Sequence, residues 1–146
     1  TSGEALKALK GKHAFLIKPN LGELQAMLNV PFIGKGEVPF AAQQAIRDRF
    51  AEVVVVSMGG DGAWLVTENE KYYAVAPPVV KKSTVGAGDS MVAGIIFMLQ
   101  QQKTMKEVLA FGVACGTAAT MNEGTRLFDK DDVLKLYQII LKHQAS

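Results

Sequence analysis

Three groups of residues in this chain have the types and spacing that chemistry requires. The first is Gly86-Ala87-Gly88-Asp89-Ser90, where a polar loop turns into an apolar run. Two glycines around an alanine let the backbone turn tightly and leave its amides accessible. If a helix begins here, its unpaired N–H groups and positive dipole end suit a phosphate or a developing oxyanion, and Asp89 places a carboxylate in the first turn. The second group is Lys18-Pro19-Asn20 with Glu23 three residues on, a helix start carrying an amide and an acid. The third is the glycine-rich turn Ser57-Met58-Gly59-Gly60-Asp61-Gly62. Each also has a purely structural reading. Local chemistry alone favours a loop-to-helix junction with an ordinary first-turn acid at Asp89, and a helix-start carboxylate at Glu23. Neither a Walker A loop nor a dinucleotide fingerprint occurs.

The elements that must position these groups alternate between strand and helix. Residues 14–17 form a short apolar run suited to a buried strand. Asn20 then caps a helix whose core face carries Leu21, Leu24 and Leu28. After a loop at 30–38, Pro39 opens a helix to about Phe50, with Ala42, Ala45, Ile46 and Phe50 as its buried stripe. Val53 to Val56 is a continuous β-branched run, which implies a strand buried on both faces, as in a parallel sheet. Residues 63–67 and 71–76 read as a hairpin. The helix after Gly88 runs to about Gln102. Thr104 with Glu107 is a capping box for the next helix, to about Met121, whose Gly/Ala-rich face allows close packing. A loop follows at 122–125, and Asp129 caps a last amphipathic helix. The first residues, Glu4 to Leu9, read as the end of a helix stopped by Gly11. This order predicts an α/β fold with a mainly parallel sheet, and open sheets of that kind bind ligands at the carboxyl ends of their strands. All three chemical groups fall just after strands or at helix starts, which favours a nucleotide site.

Composition sets the bounds. The chain has 146 residues, 49% of them hydrophobic, enough for one domain with a core. Sixteen basic and fourteen acidic residues give a formal charge of +2, interspersed without a basic run, so nucleic-acid binding is not indicated. No stretch has the length of a membrane span, and the start lacks the form of a signal peptide. The single cysteine, Cys115, lies in an apolar helical pattern and reads as a small core residue. A soluble, cytoplasmic protein is expected.

The string S-T-V-G-A-G-D-S-M at residues 83–91 resembles the signature of the ribokinase-like, or phosphofructokinase-B, sugar kinases. K-P-N-L-G-E-L at 18–24, V-S-M-G-G-D-G-A at 56–63 and F-G-V-A-C-G-T-A-A-T-M-N-E-G-T at 111–125 continue the resemblance in order and spacing. It implies the C-terminal, ATP-binding half of a ribokinase-like three-layer sandwich across residues 1–146, without the N-terminal half and its β lid. It also implies ATP-dependent phosphoryl transfer to a hydroxyl of a sugar phosphate, with fructose 6-phosphate to fructose 1,6-bisphosphate as the first expectation. Tagatose-6-phosphate and 1-phosphofructokinase reactions are the alternatives.

Residue by residue, the resemblance makes Asp89 the base, with the amides of Gly86, Ala87 and Gly88 as the anion hole. Lys18, Asn20, Ser57, Gly59, Gly60, Asp61, Gly62 and Asn122 would contact ATP. Glu23 and Asn20 would position Mg²⁺ and its waters. Ser83, Val85, Ala119, Asn122, Gly124 and Arg126 would line a monovalent-cation site for K⁺. A homodimeric full-length protein is expected, with a sugar phosphate as its partner and neither nucleic acid nor membrane. Two other readings compete: a nucleotide-binding fragment inactive on its own, and a Rossmann-type dehydrogenase, which lacks both the fingerprint and the downstream acid.

Overall fold

The computed structural model describes residues 14–122 and 129–144, so the expected helix end at 4–9, most of the 122–125 loop, and Gly124 and Arg126 lie outside the described residues. The chain divides into two compact units, Thr1–Tyr72 and Tyr73–Ser146.

In the first unit, β1 (Ala14–Ile17) leads into helix α1 (Leu21–Leu28), and α2 (Val38–Arg47) leads into β2 (Ala51–Ser57) and β3 (Ala63–Val66); β4 (Lys71–Ala74) begins at the unit's end and runs across the division. The sheet order is β1-β2-β3-β4. β1 runs parallel to β2 with Leu16 opposite Val53, and β2 runs antiparallel to β3 with Val55 opposite Leu65. The α/β class stands, with a mixed sheet whose parallel member is the β1–β2 pair. A bond from the Thr67 N–H to the Glu70 carbonyl closes the turn from β3 to β4.

All four valines 53–56 are buried, as their unbroken β-branched run predicts. Val54 and Val56, on one face of β2, join a core with Ile17, Leu24, Met27 and Ala42. Phe50 is buried in that core too, but not as part of α2. The helix stops at Arg47, and Arg49 turns left-handed at φ 67°. The N–H groups of Arg49 and Phe50 then bond back to the carbonyls of Ile46 and Ala45, a Schellman ending that turns Phe50 inward.

The second unit holds α3 (Ala87–Gln100), α4 (Met105–Thr120) and α5 (Lys130–His143). Helices α3 and α4 approach closely because glycines face side chains across the contact. A Cβ on Gly94 would lie 2.7 Å from Cys115 Sγ, and one on Gly112 would lie 2.7 Å from Ile95 Cγ1. Cys115 is fully buried there, and desolvation pushes its thiol up to about 12. Phe111 bridges to both neighbouring helices, with its ring 5.8 Å from Phe97 and 5.4 Å from Tyr137 in an edge-on contact. No helix among the described residues is long and apolar enough to cross a membrane.

Candidate functional site

In the first unit the site grows from the carboxyl ends of two parallel neighbours. β1 ends at Ile17 and β2 at Ser57, and Asn20 and Ser57 form an isolated parallel bridge just beyond them. The Ser57 N–H donates to the Pro19 carbonyl at 3.1 Å. Pro19 is buried and cannot continue the ladder as a donor, so the chain leaves the strand here and enters α1. Two motifs far apart in the chain are thereby tied side by side.

At this edge lies an open depression of about 390 Å³. Asn20, Ser57, Gly59 and Asp61 line it, together with Leu21, Gly22, Met58 and Lys35. Gly59 and Gly62 hold left-handed φ values of 59° and 90°, which only glycine adopts cheaply, so the turn around 59–61 exposes its backbone to the depression. Glu23, Gly60 and Gly62 adjoin these residues in the chain, and Lys18 lies two residues before Asn20, without lining the depression. Lys35 had no motif to mark it, although a basic residue between Gly34 and Gly36 was the available signal. Its ammonium lies 3.2 Å from the Asp61 carboxylate.

Asn20 and Glu23 form a reciprocal capping box. The Glu23 N–H donates to Asn20 Oδ1 at 2.8 Å, and the Asn20 N–H donates to Glu23 Oε1 at 2.9 Å. The second carboxylate oxygen of Glu23 takes no part in the cap. A hard cation that keeps most of its waters needs only one or two such oxygens, so this pair fits Mg²⁺ held largely through water. Among the described residues no group of three or more His, Cys, Asp or Glu side chains is placed to hold a metal ion by itself.

In the second unit α3 starts differently. Its N-cap is Gly86 at φ 82°, with no side-chain cap. The Ala87 N–H reaches back to the Thr84 carbonyl at 3.3 Å, and the Ser90 N–H bonds the Gly86 carbonyl at 2.9 Å. By position, the first-turn amides of Gly88 and Asp89 are without an intrahelical acceptor. Asp89 is exposed, while Ser90 beside it is buried and anchors the turn. The arrangement offers a helix dipole, open amides and a solvent-facing carboxylate in one turn.

The loop before α3 is pinned to the end of α4. The N–H groups of Lys82 and Ser83 both donate to the Thr120 carbonyl, at 2.7 and 3.1 Å. Ser83 Oγ accepts the Val85 N–H, and Asn122 bonds the Ala119 carbonyl through its N–H and the Ala118 carbonyl through its side chain. Ser83, Val85, Ala119 and Asn122 therefore belong to one tied segment pair at a helix carboxyl end. The negative dipole end there suits a cation such as K⁺.

Comparison with known proteins bears on both regions. The family model described as pfkB family carbohydrate kinase matches residues 2–132. The chain is 44% identical over 138 residues to ATP-dependent 6-phosphofructokinase isozyme 2 of Escherichia coli, covering 94% of this chain and 45% of that protein. It is 38% identical to 1-phosphofructokinase of Bacillus subtilis, covering 87% of this chain and 42% of that protein. Crystal structures of Escherichia coli phosphofructokinase-2 with substrates and products, and with potassium, superpose with a TM-score of 0.89 at 43% identity, over 95% of this chain and 45% of theirs. The chain spans about half the length of the curated relatives it matches.

Proposed function

The chain belongs to the pfkB family of carbohydrate kinases, and on that premise we propose that the protein containing it transfers the γ-phosphoryl group of ATP to a hydroxyl of a sugar phosphate. Fructose 6-phosphate is the first acceptor to test. Fructose 1-phosphate is the second, favoured by the similarity to a 1-phosphofructokinase; a tagatose 6-phosphate acceptor is the third.

The observation that carries this reading is the start of α3, a helix N-terminus left open by Gly86 with Asp89 exposed in its first turn. Asp89 takes the proton from the acceptor hydroxyl. The hydroxyl oxygen bonds the γ-phosphorus as the bond to the ADP leaving oxygen breaks. Charge gathered on the transferring group is met by the amides of Gly86, Ala87 and Gly88, the Ala87 N–H giving up its 3.3 Å bond to the Thr84 carbonyl. Phosphoryl transfer gains most from such positioning and charge stabilisation.

Nucleotide contacts are assigned to Lys18, Asn20, Ser57, Gly59, Gly60, the backbone of Asp61, and Gly62, with Asn122 at the adenine and cation end. When bound, Mg²⁺ neutralises phosphate charge, and Glu23 and Asn20 would hold it through its waters. K⁺ would sit among carbonyls of the segments containing Ser83, Val85, Ala119 and Asn122, with Gly124 and Arg126. A homodimeric full-length protein belongs to the same proposal.

The test is a coupled assay of ADP formation by the full-length protein, with each sugar phosphate in turn and with K⁺ replaced by Na⁺. Turnover dependent on one of these acceptors supports the reading. ATP binding without turnover on any acceptor favours the nucleotide-binding alternative.

A further inference from the structure

We infer that Lys35 contacts the phosphate chain of the nucleotide, and that Asp61 holds its ammonium in place until the nucleotide arrives. The inference rests on the nucleotide reading proposed above. It begins from an electrostatic oddity. Asp61 lines a depression assigned to a polyphosphate, where a bare carboxylate would repel the ligand. In the structure that charge is compensated, because Lys35 Nζ lies 3.2 Å from Asp61 Oδ2.

The turn that carries Lys35 is built, not slack. Ile33 is buried, and its N–H donates to Gln25 Oε1 at 3.0 Å. The Gly34 N–H donates to Glu37 Oε1 at 3.1 Å, closing a short 3₁₀ turn at Lys35–Glu37. Lys35 is thus presented at the rim from a fixed base, with a side chain long enough to turn inward. Its pair with Asp61 is solvent-facing, with the two side chains 78% and 59% exposed. Exposed pairs of this kind are weak and screened by salt, so a polyphosphate can displace the carboxylate as the lysine's partner at small cost. A lysine, a compact charge on a flexible stem, suits that exchange of partners.

Two roles must be separated: contact with phosphate, and mere neutralisation of Asp61. The experiment measures ATP, ADP and adenosine affinities of the full-length protein for wild type, Lys35→Met, Asp61→Asn, the double variant and Lys35→Arg. Lys35→Met is expected to weaken ATP by about fivefold to tenfold while leaving adenosine unchanged, since hydrogen bonds to charged groups are the stronger class. Asp61→Asn is expected to tighten ATP slightly, and Lys35→Arg to keep most of the affinity. The double variant is expected to bind ATP about as weakly as Lys35→Met. Wild-type affinity in the double variant would reduce Lys35 to a counter-ion and overturn the inference, as would an unchanged ATP affinity in Lys35→Met. Equal losses for ATP and adenosine would mark a folding defect in place of phosphate contact and also count against it. If wild type binds none of the three ligands, the nucleotide reading itself fails, and this inference fails with it.

Discussion

Helices α1 and α3 both begin beside residues of a kinase signature, yet their first turns are finished in opposite ways. At α1 the chain caps itself, with Asn20 and Glu23 each accepting the other's N–H. At α3 no side chain closes the turn, and Gly86 enters it left-handed. Helices α4 and α5 follow the first pattern, through Thr104 with Glu107 and through Asp129. A self-capped start spends its polar groups on the fold, and its acid serves a ligand only with what is left over. A glycine start gives up only about a few tenths of a kcal/mol of helix stability relative to a side-chain cap and keeps its amides for something else. Helix α2 also starts without a side-chain cap, but Pro39 and the preceding 3₁₀ turn fill its first turn, so an open start points to function only where it adjoins a chemical motif.

The largest loss is expected at Asp89. In the full-length enzyme Asp89→Asn keeps size and hydrogen bonding but cannot take the proton, so turnover should fall by ~10²–10⁴-fold or more. ATP affinity should stay near wild type. Near-normal turnover in this variant would remove Asp89 as the base and with it the proposed mechanism. Gly86→Ala comes next. The left-handed φ of 82° costs an alanine about 1–2 kcal/mol, and the first turn has to shift to relieve it. Turnover should drop by ~10-fold or more, because displaced oxyanion donors are costly. If thermal melting shifts and turnover does not, the open amides are not an anion hole.

Glu23 sharpens the contrast from the other side. Glu23→Gln preserves a capping-box residue while removing the charge, so melting should hold, whereas Glu23→Ala should lose about 1 kcal/mol. Both should raise the Mg²⁺ concentration needed for half-maximal rate. An unchanged Mg²⁺ titration would leave Glu23 with only its cap.

The smallest effect belongs to Thr104, a cap with no assigned chemistry. Thr104→Ala should destabilise by about 1 kcal/mol with turnover per folded enzyme unchanged. The same box gives a pH signature. Hydrogen bonds from the Thr104 backbone, then from its side chain, hold the Glu107 carboxyl below the ordinary value, with Lys103 adding to them. A depressed folded-state pKa gives stability that is present above the unfolded value and lost as pH falls through the folded one. The melting difference between wild type and Glu107→Gln should therefore shrink on acidification below about pH 4. A difference that grows there would refute the assignment.

The caps were legible in the sequence because a capping box states both residue type and spacing. Asn20–Glu23, Thr104–Glu107 and Asp129 all start helices where expected. The four valines of β2 were legible for a similar reason, since an unbroken β-branched run has few other homes. Helix ends were not. Asn29, Arg49 and Gln102 take the left-handed conformation that glycine usually signals, so α2 and α3 stop two or three residues before the expected ends. Asn29 is of a type that adopts this conformation readily, but nothing in the types of Arg49 and Gln102 announced it, and only the carbonyls they satisfy explain it. Lys35 was missed for another reason. Its partner Asp61 lies in a different turn, and a pair made across space leaves no local pattern to read.

The packing of α3 on α4 gives the protein an internal clock. Cys115 is sealed against the backbone of Gly94, and its thiol is far too weakly acidic to react at neutral pH. An alkylating reagent added to the native protein can label this position only during moments when the two helices part. The rate of mass gain at Cys115 then counts those openings directly, without any introduced probe. Repeating the count with nucleotide present would tell whether ligand binding slows the clock.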